Sequence, residues 1–137
     1  MAPKPKADPE VVAILQQVTS FDRSLVKRLA TVGTSVNVPE GWSVIMETTP
    51  ADSAYIVLAG SAEIRKGGEV VATLGAGDVF GEIALLNHTL RNASVVAAEP
   101  LRALRLGEEA IASLLEVDSG FADTLRRSAE ERLPQTD

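Results

Sequence analysis

AYIVLAGSAEIRKGGEVVATL, residues 54–74, is the most strand-like part of this chain. Ala54 to Ala59 is an unbroken apolar run rich in β-branched residues, Gly60 ends it, and Ala62 to Lys66 and Glu69 to Leu74 follow as two further short runs. Gly67-Gly68 between the last two is a hairpin signal, because a two-residue primed turn needs the positive φ that glycine adopts without strain. Downstream, Gly75-Ala76-Gly77-Asp78 reads as a turn, with strands expected at Ala93 to Ala98 and Leu101 to Leu106. Upstream, strands are expected at Ser35 to Val38 and Ser43 to Glu47, with turns at Pro39-Glu40-Gly41 and Pro50-Ala51-Asp52. Many short strands with glycine-rich corners predict a closed or double-sheet β architecture, a jelly roll or barrel.

Helical spacing takes over at both ends. Asp8-Pro9 reads as N-cap and first helical residue, followed by Val11, Val12, Ile14, Leu15 and Val18. Ser20 is the expected cap of a second helix carrying Phe21, Leu25, Val26 and Leu29. Glu108 to Leu115 reads as a third helix. A fourth, capped by Asp118-Ser119 and stopped by Pro134, would bury Phe121, Leu125, Ala129 and Leu133 along one side. The expected organisation is one domain over residues 9–133, with helices at 9–30, the β-roll at 31–106 and C-terminal helices at 108–133. The Pro- and Lys-rich residues 1–8, and residues 134–137, are expected tails.

Composition narrows the function. A chain of 137 residues with 45% hydrophobic content fills one core. Its formal net charge of −6 disfavours a nucleic-acid polyanion. It has no cysteine, which removes disulfides and thiolate chemistry, and His88 is its only histidine, which removes the multi-histidine metal centre of a jelly-roll oxygenase. The sequence shows neither an apolar run long enough to span a membrane nor the apolar stretch of a signal peptide, so the expectation is a cytoplasmic protein without membrane or metal, and not an enzyme.

Chemistry concentrates in FGEIALLNHTLRNASV, residues 80–95. A strand-like start runs through Gly81 into a short apolar helix, whose free N-terminal amides attract an anion. Arg91, in the same loop, offers a planar fork of donors suited to two phosphate oxygens. Glu82 would repel a bare phosphate, but a carboxylate accepts the proton of a ribose hydroxyl. Phosphate and ribose in one loop point to a nucleotide.

Phe80-Gly81-Glu82-Ile83-Ala84-Leu85-Leu86, a four-residue spacer and Arg91-Asn92-Ala93-Ser94-Val95 resemble the phosphate-binding cassette of cyclic-nucleotide-binding domains. These domains occur in catabolite activator proteins, protein kinase A regulatory subunits and cyclic-nucleotide-gated channels. Pro39-Glu40-Gly41, the stretch Asp52 to Gly60 and Leu74 to Asp78 fall where that family keeps its turns and core strand. The resemblance implies a mainly β, double-stranded β-helix (jelly-roll) fold with flanking helices. It implies a cyclic nucleotide as ligand, cAMP with cGMP as the alternative, no further cofactor, and a site of Gly81, Glu82, Ile83, Ala84, Arg91, Asn92, Ala93 and Ser94. Glu82, helped by the Gly81 backbone, would take the ribose 2′-OH, Arg91 the exocyclic phosphate oxygens, and the Ala84 and Asn92 amides the rest of the phosphate. Leu125 or Ala129 of the last helix would cover the base.

Three positions depart from the family pattern. Leu90 replaces a proline before the arginine, Thr48 sits where a turn glycine is common, and Asn92 replaces a small or hydroxylated residue. The residues after Leu106 are expected to be spent on the closing helices, with no DNA-binding domain of the catabolite-activator kind expected among them, so the output would go to an unidentified protein or to another copy of this chain. The competing reading is a ligand-free interaction module that keeps the roll. Trp42 and Tyr55 are expected in the core or at its rim, and His88 is given no role.

Overall fold

The computed structural model describes residues 7–117 and 119–131. Helices α1 (Pro9–Val18) and α2 (Arg23–Val32) lead into β1 (Thr34–Val38), β2 (Ser43–Ile45), β3 (Ser53–Ala59), β4 (Ala62–Lys66), β5 (Glu69–Leu74) and β6 (Val79–Phe80). Helix α3 (Glu82–Asn87) interrupts the strands, which resume as β7 (Ser94–Ala97) and β8 (Leu101–Gly107) before α4 (Glu108–Val117) and α5 (Ser119–Glu131). The strands form two four-stranded sheets, ordered β1-β8-β3-β6 and β2-β7-β4-β5, and every pairing is antiparallel. This is the expected β-roll with flanking helices.

Strand β3 explains why its sequence is apolar without alternation: both of its faces are buried. Tyr55 and Val57 point into the roll with Ile64, Phe80, Val95 and Ala103. Ala54, Ile56 and Leu58 point the other way, against Leu15, Leu29, Phe121 and Leu125 of the helices. Successive side chains of a strand take opposite faces, so a strand lying between two cores must be apolar at every position. The Gly67-Gly68 hairpin is as expected: Lys66 pairs with Glu69 across it, and both glycines have positive φ, 59° and 86°.

Several boundaries differ from the expectation. Helix α2 continues through Thr31 to Val32, and its cap is Asp22 rather than Ser20, the Asp22 carboxylate accepting from the Leu25 amide at 2.8 Å. Phe21 therefore precedes the helix, where it meets Phe121 edge-on at 6.3 Å and ties the N-terminal helices to α5. Strand β2 stops at Ile45 instead of Glu47, because the chain turns at Met46 to Thr49, the Thr49 amide donating to the Met46 carbonyl. The strand expected at Ala93 to Ala98 forms over Ser94–Ala97, and β6 adds a short strand before Gly81. Trp42 is at the surface, 66% exposed, and not in the core. The expectations for residues 1–6, Asp118, Leu133 and residues 134–137, and for the Ala129 side chain, lie outside the described residues. Among the described residues no helix is long and apolar enough to cross a membrane.

Candidate functional site

The site is built where β6 hands over to α3. Phe80 pairs with Tyr55 of β3, and the two rings stack at 5.0 Å and 9°. Gly81 then reverses the chain at φ 83°, a conformation costly for residues with a Cβ. There is also no room for one: a Cβ on Gly81 would lie 2.9 Å from Ile45 Cδ1 and 3.1 Å from Arg91 Nη1. The glycine thus lets the backbone approach the arginine closely. Glu82, Ile83, Ala84 and Leu85 follow on α3, all buried. His88 caps the C-terminus of this helix at φ 54°, and its ring is on an exposed residue.

A second segment brings Arg91 back to the same corner. Its amide donates to the Thr49 carbonyl at 2.8 Å, and its own carbonyl accepts from the Thr48 amide at 2.7 Å. Leu90 bridges Pro50 beside them. The turn at residues 46–50 therefore fixes the backbone of Arg91, and Thr48 adopts φ 70° to make it. That is the position where the family commonly has glycine, so the departure noted in the sequence places a β-branched residue in left-handed backbone.

The guanidinium is turned inward and only 3% exposed; Nη2 donates to the Ser53 carbonyl at 2.6 Å and Nη1 to the Gly81 carbonyl. Ser53, Glu82 and Arg91 are the buried polar or charged residues among those described, and all three belong to this corner. A roll that otherwise buries apolar groups here buries a carboxylate and a guanidinium, an arrangement that costs desolvation and is weak evidence for a purely stabilising role. Arg91 nevertheless forms part of the wall of a cavity of about 340 Å³, which Tyr55, Thr49 and Arg105 also line.

Of the eight expected site residues, the structure brings Gly81, Glu82 and Arg91 together, with Ile83 and Ala84 directly behind on α3. The other three lie on the segment that follows Arg91. Asn92 is exposed, Ala93 packs into the roll, and the Ser94 hydroxyl accepts from the Glu47 amide at 2.9 Å. Ser53 was not among the expected site residues. It acts through its carbonyl, which leaves no residue-type signature, while its hydroxyl donates to Asp52 Oδ1 at 2.9 Å.

The chain matches the family model of the cyclic nucleotide-binding domain over residues 35–118. It is 43% identical over 106 residues to a cAMP-dependent protein kinase regulatory subunit of Yarrowia lipolytica, covering 76% of this chain and 28% of that protein. The corresponding subunit of Neurospora crassa is 36% identical over 125 residues, covering 89% of this chain and 32% of the relative. This chain thus spans about a third or less of the length of those relatives. Among solved structures, the catabolite activator protein of Thermus thermophilus is similar with a TM-score of 0.74 at 27% identity, over 84% of this chain and 56% of that one. The regulatory domain of Toxoplasma gondii PKA, crystallised with cAMP, is similar with a TM-score of 0.65 at 27% identity, over 76% of this chain and 42% of that one.

Proposed function

Because this chain belongs to the cyclic nucleotide-binding domain family, we propose that it is the sensing domain of a cytoplasmic regulatory protein, not an enzyme, and that cAMP is its ligand. The observation that carries this reading is the burial of Glu82 and Arg91 at one corner of the roll, on the two segments of the cassette. A guanidinium pairs with the exocyclic phosphate oxygens, and a carboxylate one residue beyond Gly81 accepts from the ribose 2′-OH. Asn92, exposed at the rim, faces the solvent side of the ligand, and the Ala84 and Asn92 amides complete the phosphate contacts.

The signal leaves through the C-terminal helices. Helix α5 runs close to α3, and its Phe121 and Leu125 are fully buried in the core between β3 and the helices. A ligand that binds one arrangement of these helices better than another shifts their populations, and a partner protein or a second copy reads the shift. One observation favours the competing reading of a ligand-free module: Arg91 already donates to two backbone carbonyls, so the corner is held together by internal contacts. Thermal unfolding at increasing cAMP separates the two. A melting temperature that climbs with ligand concentration supports the sensor, and a constant one supports the module.

A further inference from the structure

Away from the nucleotide corner, helix α2 carries Arg23, Lys27 and Arg28 and no acidic residue, on a chain whose formal net charge is −6. All three basic residues are exposed, and among the described residues none takes part in an ion pair. Between α2 and α4 lies a crevice of about 300 Å³. Lys27 and Arg28 line it on one side, the buried Leu114 lies in its wall, and Val32 and Val117 line it while remaining 44% and 56% exposed. Helix α4 buries Ile111 and Leu114 against the core, so Val117 is an apolar residue left over after the fold has been satisfied. Val32, at the end of α2, is another.

We propose that this crevice docks an acidic amphipathic segment of a partner protein. A leucine-sized side chain fills the space between Val32 and Val117, and carboxylates on the same segment meet Lys27 and Arg28. An apolar anchor set in a crevice with charged groups at the edge is the ordinary anatomy of a helix-in-groove contact, in which burial supplies affinity and charge supplies orientation. The sign of the partner follows from the surface. Lys27 and Arg28 are the charged residues that line this crevice, and the formal net charge of the whole chain is −6, so the lining is a local positive site that favours an acidic segment. The proposal does not require that a nucleotide be bound.

The test titrates the whole chain, uniformly ¹⁵N-labelled, with a short peptide of glutamate, alanine and leucine whose leucines recur at helical spacing. The expected result is amide shift changes confined to Lys27, Arg28, Thr31, Val32, Ser113 and Val117. Affinity should fall at least about tenfold in Lys27→Glu/Arg28→Glu and in Val117→Ser, and added salt should weaken it. A version of the peptide with lysine in place of glutamate should not bind. Retained amide dispersion in the variants, and cAMP titrations that match those of the wild type, separate loss of this surface from loss of the fold or of the nucleotide site. The proposal is overturned if the acidic peptide produces no shifts, if the shifts lie elsewhere, or if the variants bind like the wild type. It is equally overturned if the same amides shift with protein concentration alone, which would make a second copy the occupant.

Discussion

Arg91 and Glu108 bond to consecutive carbonyls at the start of β3: the guanidinium donates to Ser53 at 2.6 Å, and the Glu108 amide, first in α4, donates to Asp52 at 3.1 Å. The cation of the cassette and the first residue of the C-terminal helices are therefore held one peptide unit apart. Arg105 adds to the same junction, reaching the Asp52 carboxylate at 3.4 Å. Any ligand that draws Arg91 away from Ser53 acts on the residues from which α4 begins, which gives the proposed signal a short physical route.

Thr48 holds φ 70°, where a residue with a branched Cβ is strained by about 1–2 kcal/mol. Glycine removes that strain and keeps the amide that donates to the Arg91 carbonyl. Thr48→Gly should stabilise the fold by about 1 kcal/mol, visible as a melting temperature higher by about 3 to 5 °C. A lower melting temperature would show that the hydroxyl contact of Thr48 with the Glu47 carbonyl outweighs the backbone strain.

Gly81 and Gly67 both have positive φ, but only Gly81 is crowded; nothing lies within 4 Å of a Cβ at Gly67. Alanine at Gly67 should cost about 1 kcal/mol through the backbone alone. At Gly81 it must also displace Ile45 and Arg91, so Gly81→Ala should cost at least about 1 kcal/mol more and weaken ligand binding as well. Denaturant unfolding of the two variants measures the difference, and equal losses would mean that the corner is looser than its contacts indicate.

These positions also show what the sequence could convey. The continuous apolar run of β3 and the paired glycines before Glu69 were legible, because burial on both faces and positive φ each restrict residue type strongly. The corner where Gly81, Glu82 and Arg91 meet was legible for a like reason: left-handed backbone restricts its position to glycine, and a carboxylate and a guanidinium stand out in an apolar stretch. The Ser53 carbonyl was not, since any residue supplies one. Nor was the choice of cap for α2, where Ser20 and Asp22 are both competent and the packing of Phe21 on Phe121 settles the helix start. For Trp42 the sequence left core and rim both open; it flanks β2 at the edge of its sheet and is exposed, because position there outweighs hydrophobicity.

Glu82 separates reading a sugar from merely shaping the corner. Glu82→Ala should weaken cAMP by roughly tenfold, as expected for a lost charge-assisted hydrogen bond, and should weaken 2′-deoxy-cAMP much less. Parallel titrations of both nucleotides with both proteins provide the comparison, and an equal loss for the two ligands would remove the ribose contact from the assignment.

If Arg91 holds a cyclic phosphate, calorimetric titration of cAMP into the wild type and into Arg91→Ala must show it. Thermal unfolding should accompany the variant, because losing the guanidinium leaves the Gly81 and Ser53 carbonyls without these donors and lowers stability in its own right. The expected result is a measurable heat of binding for the wild type and a loss of at least about 2 kcal/mol, roughly thirtyfold in affinity, for the folded variant. Equal affinity in both proteins, or no heat of binding from the wild type, would contradict it.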